Sequence, residues 1–408
     1  MKIAILNTGN ELLRGTTLNT NLSFAGMMLT SAGEEADCAL AVPDEPAMIK
    51  DALGLLLENH DLVIVTGGLG PTADDLTRDI VCELLNLQQH EDPGLRAGLE
   101  EYWHSRHPER NAPASYYAQS MVPEHAEIMD NHNGSAPGLW IEGDYLKRKA
   151  LVALLPGPPS EFEPMFCDEF LPRLHARRGQ QIFTERIMVS NTPEIIAQEK
   201  VESVISPNIR AAYCASAEGT RIFLTGNDHN QTCEFMEKIK KMFGCSVLTN
   251  GHLDLAGELA ERLSELGCTL ATAESCTGGM ISAAITAQPG ISSIYLGGVV
   301  CYSNQSKQRE LGVTAEILER HGAVSAECAR AMAEGVCRRF GAKAGIAVTG
   351  IAGPGGGTVH KPVGLVYIGA MYNGKVVDRR LDLRGNRAKI RQCATAQALI
   401  LLREMLMS

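Results

Sequence analysis

Two stretches constrain this chain more than any others: LVIVTGGLGPT at residues 62–72 and IAVTGIAGPGGG at residues 346–357. Each is a short apolar run that breaks abruptly into glycines. Uninterrupted runs of Val, Ile, Leu and Ala suit strands buried on both faces, which are the parallel strands of an α/β sheet. Glycines after such a strand let backbone N–H groups approach a ligand at the strand's carboxyl end. The flanks of the two stretches do not align, so they are similar solutions and not an internal repeat.

The same texture recurs along the chain. Ile3–Leu6 and Ala150–Leu155 read as further buried strands, and Met48, Ile49, Ala52, Leu53, Leu56 and Leu57 form a helical apolar stripe after Pro46. From about Leu171 the pattern changes to strands at 182–189 and 220–224 with helices at 193–205 and 231–243, without a glycine-rich loop. After Asn250 a helix carrying Leu255, Leu259, Leu263 and Leu266 leads into a second α/β segment. Its strands are expected at 269–273, 296–302 and 345–349, with a hairpin around Asn373-Gly374 and a closing helix from Arg387. The expected fold class is α/β: two α/β domains with mainly parallel or mixed sheets, at residues 1–170 and 251–408, joined by a small α+β domain at 171–250.

With 408 residues, 45% of them hydrophobic and 21% charged, the chain has material for several cores and is neither disordered nor collagen-like. A net charge of −11 argues against a broad grip on nucleic-acid backbones. The amino terminus has neither a signal-peptide core nor a membrane span, and the 12 cysteines show neither Cys-x-x-Cys pairs nor zinc spacing. The expectation is a cytoplasmic protein without membrane or nucleic-acid partners.

The first candidate site follows strand 62–65. Gly67, Gly68 and Gly70 form a phosphate loop, and Asp74 and Asp75 beside it suit a hard divalent ion bridging ligand phosphates. The competing reading places both aspartates in the first turn of the next helix, where acidic residues are favoured electrostatically. Glu11 and Gly157 end the neighbouring strands and point to one shared crevice.

The second site is carried by TLATAESCTGGMISAAIT, where a strand stops at Ser275 and a helix opens through Gly278-Gly279. A nucleophile at such a junction lies beside unpaired amides of Cys276, Thr277 and their neighbours, which can hold an oxyanion. As an isolated feature, Ser275 also reads as a helix cap. Lys307, near the start of the helix after Tyr302, becomes a neutral base when desolvated, and a Ser–Lys pair is a known activation chemistry. Tyr302, placed between them, would relay the proton or position the lysine. Alone, Lys307 reads as an exposed helix lysine and Tyr302 as a strand-end aromatic. Cys276 is a rival nucleophile, with no motif-linked histidine to activate it. Thr349, Gly350, Gly353, Gly355 and Gly356 form a loop able to close on a phosphate or sugar. Arg387 and Arg391, four apart on a helix, offer two forks for an anion or a solvated face.

Taken together, TGNELLRG, NTN, TGGLGPTADDLTRD, GSAPG and LPGPPSEFEPM resemble the amino-terminal domain of the CinA (competence/damage-inducible) family, which is related to MoaB/MogA proteins. AESCTGG, YSNQSK, VTGIAGPGGG, KPVG and GNRAKIR resemble its carboxyl-terminal domain, similar to PncC nicotinamide mononucleotide amidohydrolases. The resemblance implies a KH-like middle domain, a homodimer, and an amidohydrolase with Ser275 as nucleophile, Lys307 as base and Tyr302 assisting, needing no cofactor. It also implies that Arg387 or Arg391 takes the substrate phosphate. For the amino-terminal domain it implies ADP-ribose pyrophosphatase activity. Asn19, Asn21, Gly67, Gly68, Gly70, Thr72, Gly134, Ser135 and Gly157 would form the nucleotide site there. Glu11, Asp74 and Asp75 would hold a divalent metal such as Mg2+, with K+ as a candidate second cation. Asn10 stands where many members have Asp, Ser135 where Thr is usual, and His360 where an acidic residue is common. The alternative function is a catalytically silent nucleotide-binding or competence-associated interaction protein.

Overall fold

The computed structural model describes residues 1–72, 74–178 and 182–407. Two compact units emerge, Met1–Thr184 with Thr225–His229, and Glu185–Leu224 with Asn230–Ser408. Among the described residues no helix is long and apolar enough to cross a membrane. All 12 cysteines are free.

The first unit is built on a six-stranded sheet in the order Ala36–Val42, Ile3–Thr8, Leu62–Thr66, Arg148–Leu155, Gly138–Tyr145, Glu127–Met129. The first four strands are parallel and the last two antiparallel. Ile3–Thr8 and Leu62–Thr66 are buried at every position, as their unbroken apolar runs require. Alternate residues feed opposite cores: Ile3, Ile5, Leu62 and Ile64 meet Phe162, Phe166 and Phe170, while Ala4, Leu6, Val63 and Val65 meet Leu53, Leu56 and Leu57. The helix Pro46–Asn59 buries Ile49, Leu53, Leu56 and Leu57, but Met48, counted in the stripe from sequence, is exposed.

Ile209–Ala215, Gly219–Gly226 and Phe183–Ser190 make a three-stranded sheet. Within the second unit, Ile187, Val189, Ile222 and Leu224 pack on Ala197 and Val201 of helix Glu194–Glu202 and on Phe235, Met236 and Ile239 of helix His229–Phe243.

The second unit's larger sheet runs Tyr295–Val300, Leu270–Glu274, Ala344–Gly350, Leu365–Tyr372, Lys375–Asp382. Its first three strands are parallel and its last two antiparallel. The expected hairpin turns at Asn373 and Gly374, both with positive φ (47° and 78°), the twist that a two-residue connection between right-twisted strands needs. Helix Arg387–Met407 packs Ile390, Ala394, Ala398 and Leu402 on this sheet. Near its end, Arg403 pairs with buried Glu258 and donates to the carbonyls of Cys245 (2.7 Å) and Val247 (2.8 Å), tying the closing helix to the segment before residue 250.

Candidate functional site

Strands Leu270–Glu274, Tyr295–Val300 and Ala344–Gly350 end together because they are parallel neighbours, and their carboxyl ends carry the second unit's candidate site. Ser275 follows the first strand directly, its amide held by the Val348 carbonyl at 3.0 Å. Lys307 lies on helix Asn304–Leu311, whose start is fixed by a reciprocal Ser303–Ser306 capping box. The Lys307 side chain is 2% exposed and turns back under the strand ends. Its Nζ lies 3.0 Å from Ser275 Oγ and donates to the Cys301 carbonyl at 2.8 Å.

Burial disfavours the ammonium form and pushes the Lys307 pKa below lysine's ordinary 10.5; the thiols of Cys328, Cys301 and Cys276 oppose this less strongly. Once neutral, the amine has a lone pair able to accept the Ser275 hydroxyl proton while an N–H still satisfies the Cys301 carbonyl. The reading of Lys307 as a solvated helix lysine is thereby excluded. Cys276, 5% exposed, has its thiol pushed up to about 11 by burial, so little thiolate exists near neutrality.

Ser275 does not cap the following helix. Helix Met280–Thr286 opens at Gly279 in a left-handed conformation, and the side chain of fully buried Glu274 supplies the acceptors for its first amides. Its carboxylate accepts from the amides of Gly279 (2.9 Å), Ile281 (3.1 Å) and Ser282 (2.8 Å) and from the Ser282 hydroxyl (2.7 Å). Sequence reasoning passed over Glu274, which ends a strand six positions before the helix and so lies outside any local capping pattern.

Tyr302 is not between Ser275 and Lys307. It is 62% exposed and its hydroxyl accepts from Arg387 Nη2 at 2.8 Å, because strand Tyr295–Val300 ends before it and the chain turns outward. Arg387 also donates to the Gly353 carbonyl at 2.7 Å, so it links Tyr302 to the glycine loop. Arg391 turns inward and donates to the carbonyls of Cys276 (3.1 Å) and Thr277 (2.7 Å). The two arginines therefore serve different loops and do not form one paired fork. Thr349 directs its hydroxyl to the Ala323 carbonyl at 2.6 Å. Gly350 ends its strand, whereas Gly355, Gly356 and His360 are exposed.

The first unit carries a cavity of about 580 Å³ at the ends of Ile3–Thr8, Leu62–Thr66 and Arg148–Leu155. It is lined by Gly67, Gly68, Gly70, Asn19, Asn21, Ser135, Gly157, Glu11, Asp74 and Asp75 of the expected site, and by Asp44 and Glu161, which sequence reasoning missed. Asp44 follows Ala36–Val42, a strand not recognised in the sequence. Gly134 and Thr72 are not in the lining.

Thr72 instead donates its hydroxyl to both Asp74 and Asp75 and its amide to Asp75 (2.8 Å). The Thr72 hydroxyl holds the exposed Asp74 carboxyl below its ordinary range. The helix begins only at Thr77, so the two aspartates sit in the loop before it and the first-turn reading fails. Gly68, at φ +70°, has no room for a side chain, since a Cβ there would meet Thr77 Oγ1 at 2.1 Å.

Five carboxylates and the buried, unpartnered amide oxygens of Asn7 and Asn21 give this cavity an all-oxygen donor set, which fits a hard divalent ion. Glu11, Asp74 and Asp75 do not close into a ready-made triad: among the described residues their oxygens do not all come within 4.8 Å of one another. Asn10 lies outside the lining, its amide held by Asp44 at 2.9 Å.

Comparison with known proteins finds two family matches. Residues 4–176 match the family described as probable molybdopterin binding domain, and residues 252–406 match the CinA C-terminal domain. The class is thus a chain that joins a MoaB-like α/β domain to a CinA carboxyl-terminal domain. A CinA-like protein of Dictyoglomus turgidum (strain DSM 6724 / Z-1310) is 36% identical over 419 residues, covering 100% of both chains. One from Dictyoglomus thermophilum (strain ATCC 35947 / DSM 3960 / H-6-12) is 37% identical over 419 residues, again covering 100% of both. The crystal structure of competence/damage inducible protein CihA from Agrobacterium tumefaciens is 41% identical, covering 38% of this chain and 94% of that one, with a TM-score of 0.37. The chain belongs to the CinA family.

Proposed function

We propose that the second unit hydrolyses the carboxamide of nicotinamide mononucleotide, giving nicotinic acid mononucleotide and ammonia. The observation that carries this reading is the buried contact of 3.0 Å between Lys307 Nζ and Ser275 Oγ. Neutral Lys307 accepts the Ser275 proton as Oγ bonds to the amide carbon, and the carbonyl electron pair moves to oxygen. When the oxyanion collapses, the C–N bond breaks and the leaving nitrogen takes the proton from Lys307, departing as ammonia. Water then adds to the ester with Lys307 again as base, and the C–Oγ bond breaks to free the acid and Ser275. Because Lys307 touches Ser275 directly, Tyr302 has no proton to relay; with Arg387 it braces the Gly353 loop.

Purified protein incubated with nicotinamide mononucleotide, with the acid product and ammonia quantified by chromatography, tests the reading. Equimolar products support it. Unchanged substrate favours a silent nucleotide-binding protein.

A second activity is supported by the carboxylate-lined cavity of the first unit: metal-dependent hydrolysis of ADP-ribose. A divalent ion held by Glu11, Asp74 and Asp75 would neutralise charge on the pyrophosphate. The amides of the Gly67–Gly70 loop would orient the phosphates, and the Thr72 hydroxyl would hold the two aspartates together. Hydrolysis measured with and without added Mg2+ checks this separately from ammonia release.

A further inference from the structure

The loop after Ser275 is gripped by two charged side chains that no step above uses. On one side, buried Glu274 takes the amides of Gly279, Ile281 and Ser282. On the other, Arg391 holds the carbonyls of Cys276 and Thr277, reaching them from 115 and 114 residues away in sequence. A planar trans peptide sets each C=O antiparallel to the following N–H. Pinning those two carbonyls to Arg391 therefore turns the N–H groups of Thr277 and Gly278 to the face away from the guanidinium. Glu274 consumes the amides farther along and the Cys276 amide turns to its own thiol, leaving those of Thr277 and Gly278 with no acceptor among the described residues. Gly278 and Gly279 permit the turn, with φ of +62° and +99°, and a side chain at Gly278 would press on Arg391 Nη2 at 3.3 Å. The Thr277 hydroxyl is also buried without a partner, so this short loop concentrates unused donors beside Ser275.

We infer that Arg391 and Glu274 are positioning residues that pre-form the oxyanion site from the Thr277 and Gly278 amides, and that Arg391 is not a ligand for the substrate phosphate. This deepens the amide-hydrolase reading and rests on Ser275 as its nucleophile. Arg391 aims the amides and Glu274 fixes where the loop enters the helix, so developing charge meets donors already oriented.

A neutral fluorophosphonate, diisopropyl fluorophosphate, separates positioning from phosphate binding. Ser275 Oγ bonds to phosphorus, fluoride leaves with the P–F electron pair, and Lys307 takes the proton. The reagent's P=O oxygen requires the oxyanion donors, yet it carries no anionic phosphate. Labelling rates at Ser275, read by peptide mass spectrometry, are compared for the full chain, Arg391→Met, Arg391→Lys and Glu274→Gln, with circular dichroism confirming each fold. Arg391→Met is expected to slow labelling by about 100-fold, the size of losing an oxyanion donor. Arg391→Lys, with one ammonium in place of a fork, falls between. The midpoint of the pH–labelling curve stays at the wild-type value, since Lys307 is untouched. Wild-type labelling rates in Arg391→Met, even with a raised KM for nicotinamide mononucleotide, overturn the inference and make Arg391 a substrate ligand; failure of the wild type to label at Ser275 also overturns it. A wild type that labels normally but releases no ammonia from nicotinamide mononucleotide contradicts the substrate reading alone.

Discussion

Thirty-two residues separate Ser275 from Lys307 in the chain, and the fold closes that gap to 3.0 Å inside a site where lysine is 2% exposed. Two adjacent parallel strands achieve this: one releases Ser275 at its end, and the other leads into the helix that carries Lys307. The amine is both near the hydroxyl and poorly solvated, the two conditions a lysine base needs.

The rate of ammonia release is expected to rise with pH. Only neutral Lys307 accepts the proton, and burial places its pKa below 10.5, so kcat/KM climbs through that lowered value and levels off before lysine's ordinary range. Lys307→Arg keeps a cation but never deprotonates near neutrality, and it is expected to lose about 1000-fold or more. A rate that falls as pH rises toward 10.5, or an active Lys307→Arg enzyme, would contradict this role.

The same burial gives stability a pH dependence. With the folded pKa lowered, the unfolded chain binds more protons between that value and 10.5, so stability rises with pH across the window. The gain relative to Lys307→Met is at most about 1.4 kcal/mol per pH unit. Urea denaturation of both proteins at intervals up to pH 10.5 measures it: the wild type should gain on the variant within that range, and parallel behaviour throughout would mean that Lys307 is not desolvated.

Much of this was legible from sequence. The apolar runs fixed both parallel cores, Asn373-Gly374 fixed the hairpin, and the placing of Ser275 and Lys307 after successive strands brought them to one sheet edge. What escaped depended on side-chain direction. Nothing in a four-residue spacing tells that Arg391 turns to the Cys276 loop while Arg387 turns to Tyr302. Asp44 escaped because its strand, Ala36–Val42, lies at a sheet edge with alternating exposure and lacks a continuous apolar run.

In the first unit, Thr72 holds both Asp74 and Asp75 through one hydroxyl. Thr72→Val removes that hydroxyl, leaving Asp75 only the Thr72 amide and Asp74 without its Thr72 contact, and is expected to weaken metal-dependent ADP-ribose hydrolysis by about 10- to 100-fold, with ammonia release unchanged. Titrating Mg2+ in both assays checks this; an unaltered Mg2+ requirement would remove Thr72 from the site.

The buried Glu258–Arg403 pair supports the second unit. Arg403→Met leaves a buried carboxylate without its cation and is expected to cost about 3–5 kcal/mol, while the Glu258→Leu/Arg403→Met double variant costs less than the sum of the single changes. Urea midpoints of the three variants give the coupling, and additive losses would show that the two charges act independently.

Ser275 and Cys276 are adjacent, and in the proposed reaction the hydroxyl paired with Lys307 attacks in place of a thiol raised to about 11. Ammonia released from nicotinamide mononucleotide by Ser275→Ala and Cys276→Ala, set against the wild type, decides between them. The expected result is a loss of about 1000-fold or more for Ser275→Ala and most of the activity kept by Cys276→Ala. A Ser275→Ala protein within tenfold of wild type, or a silent Cys276→Ala protein that still folds, would contradict the account.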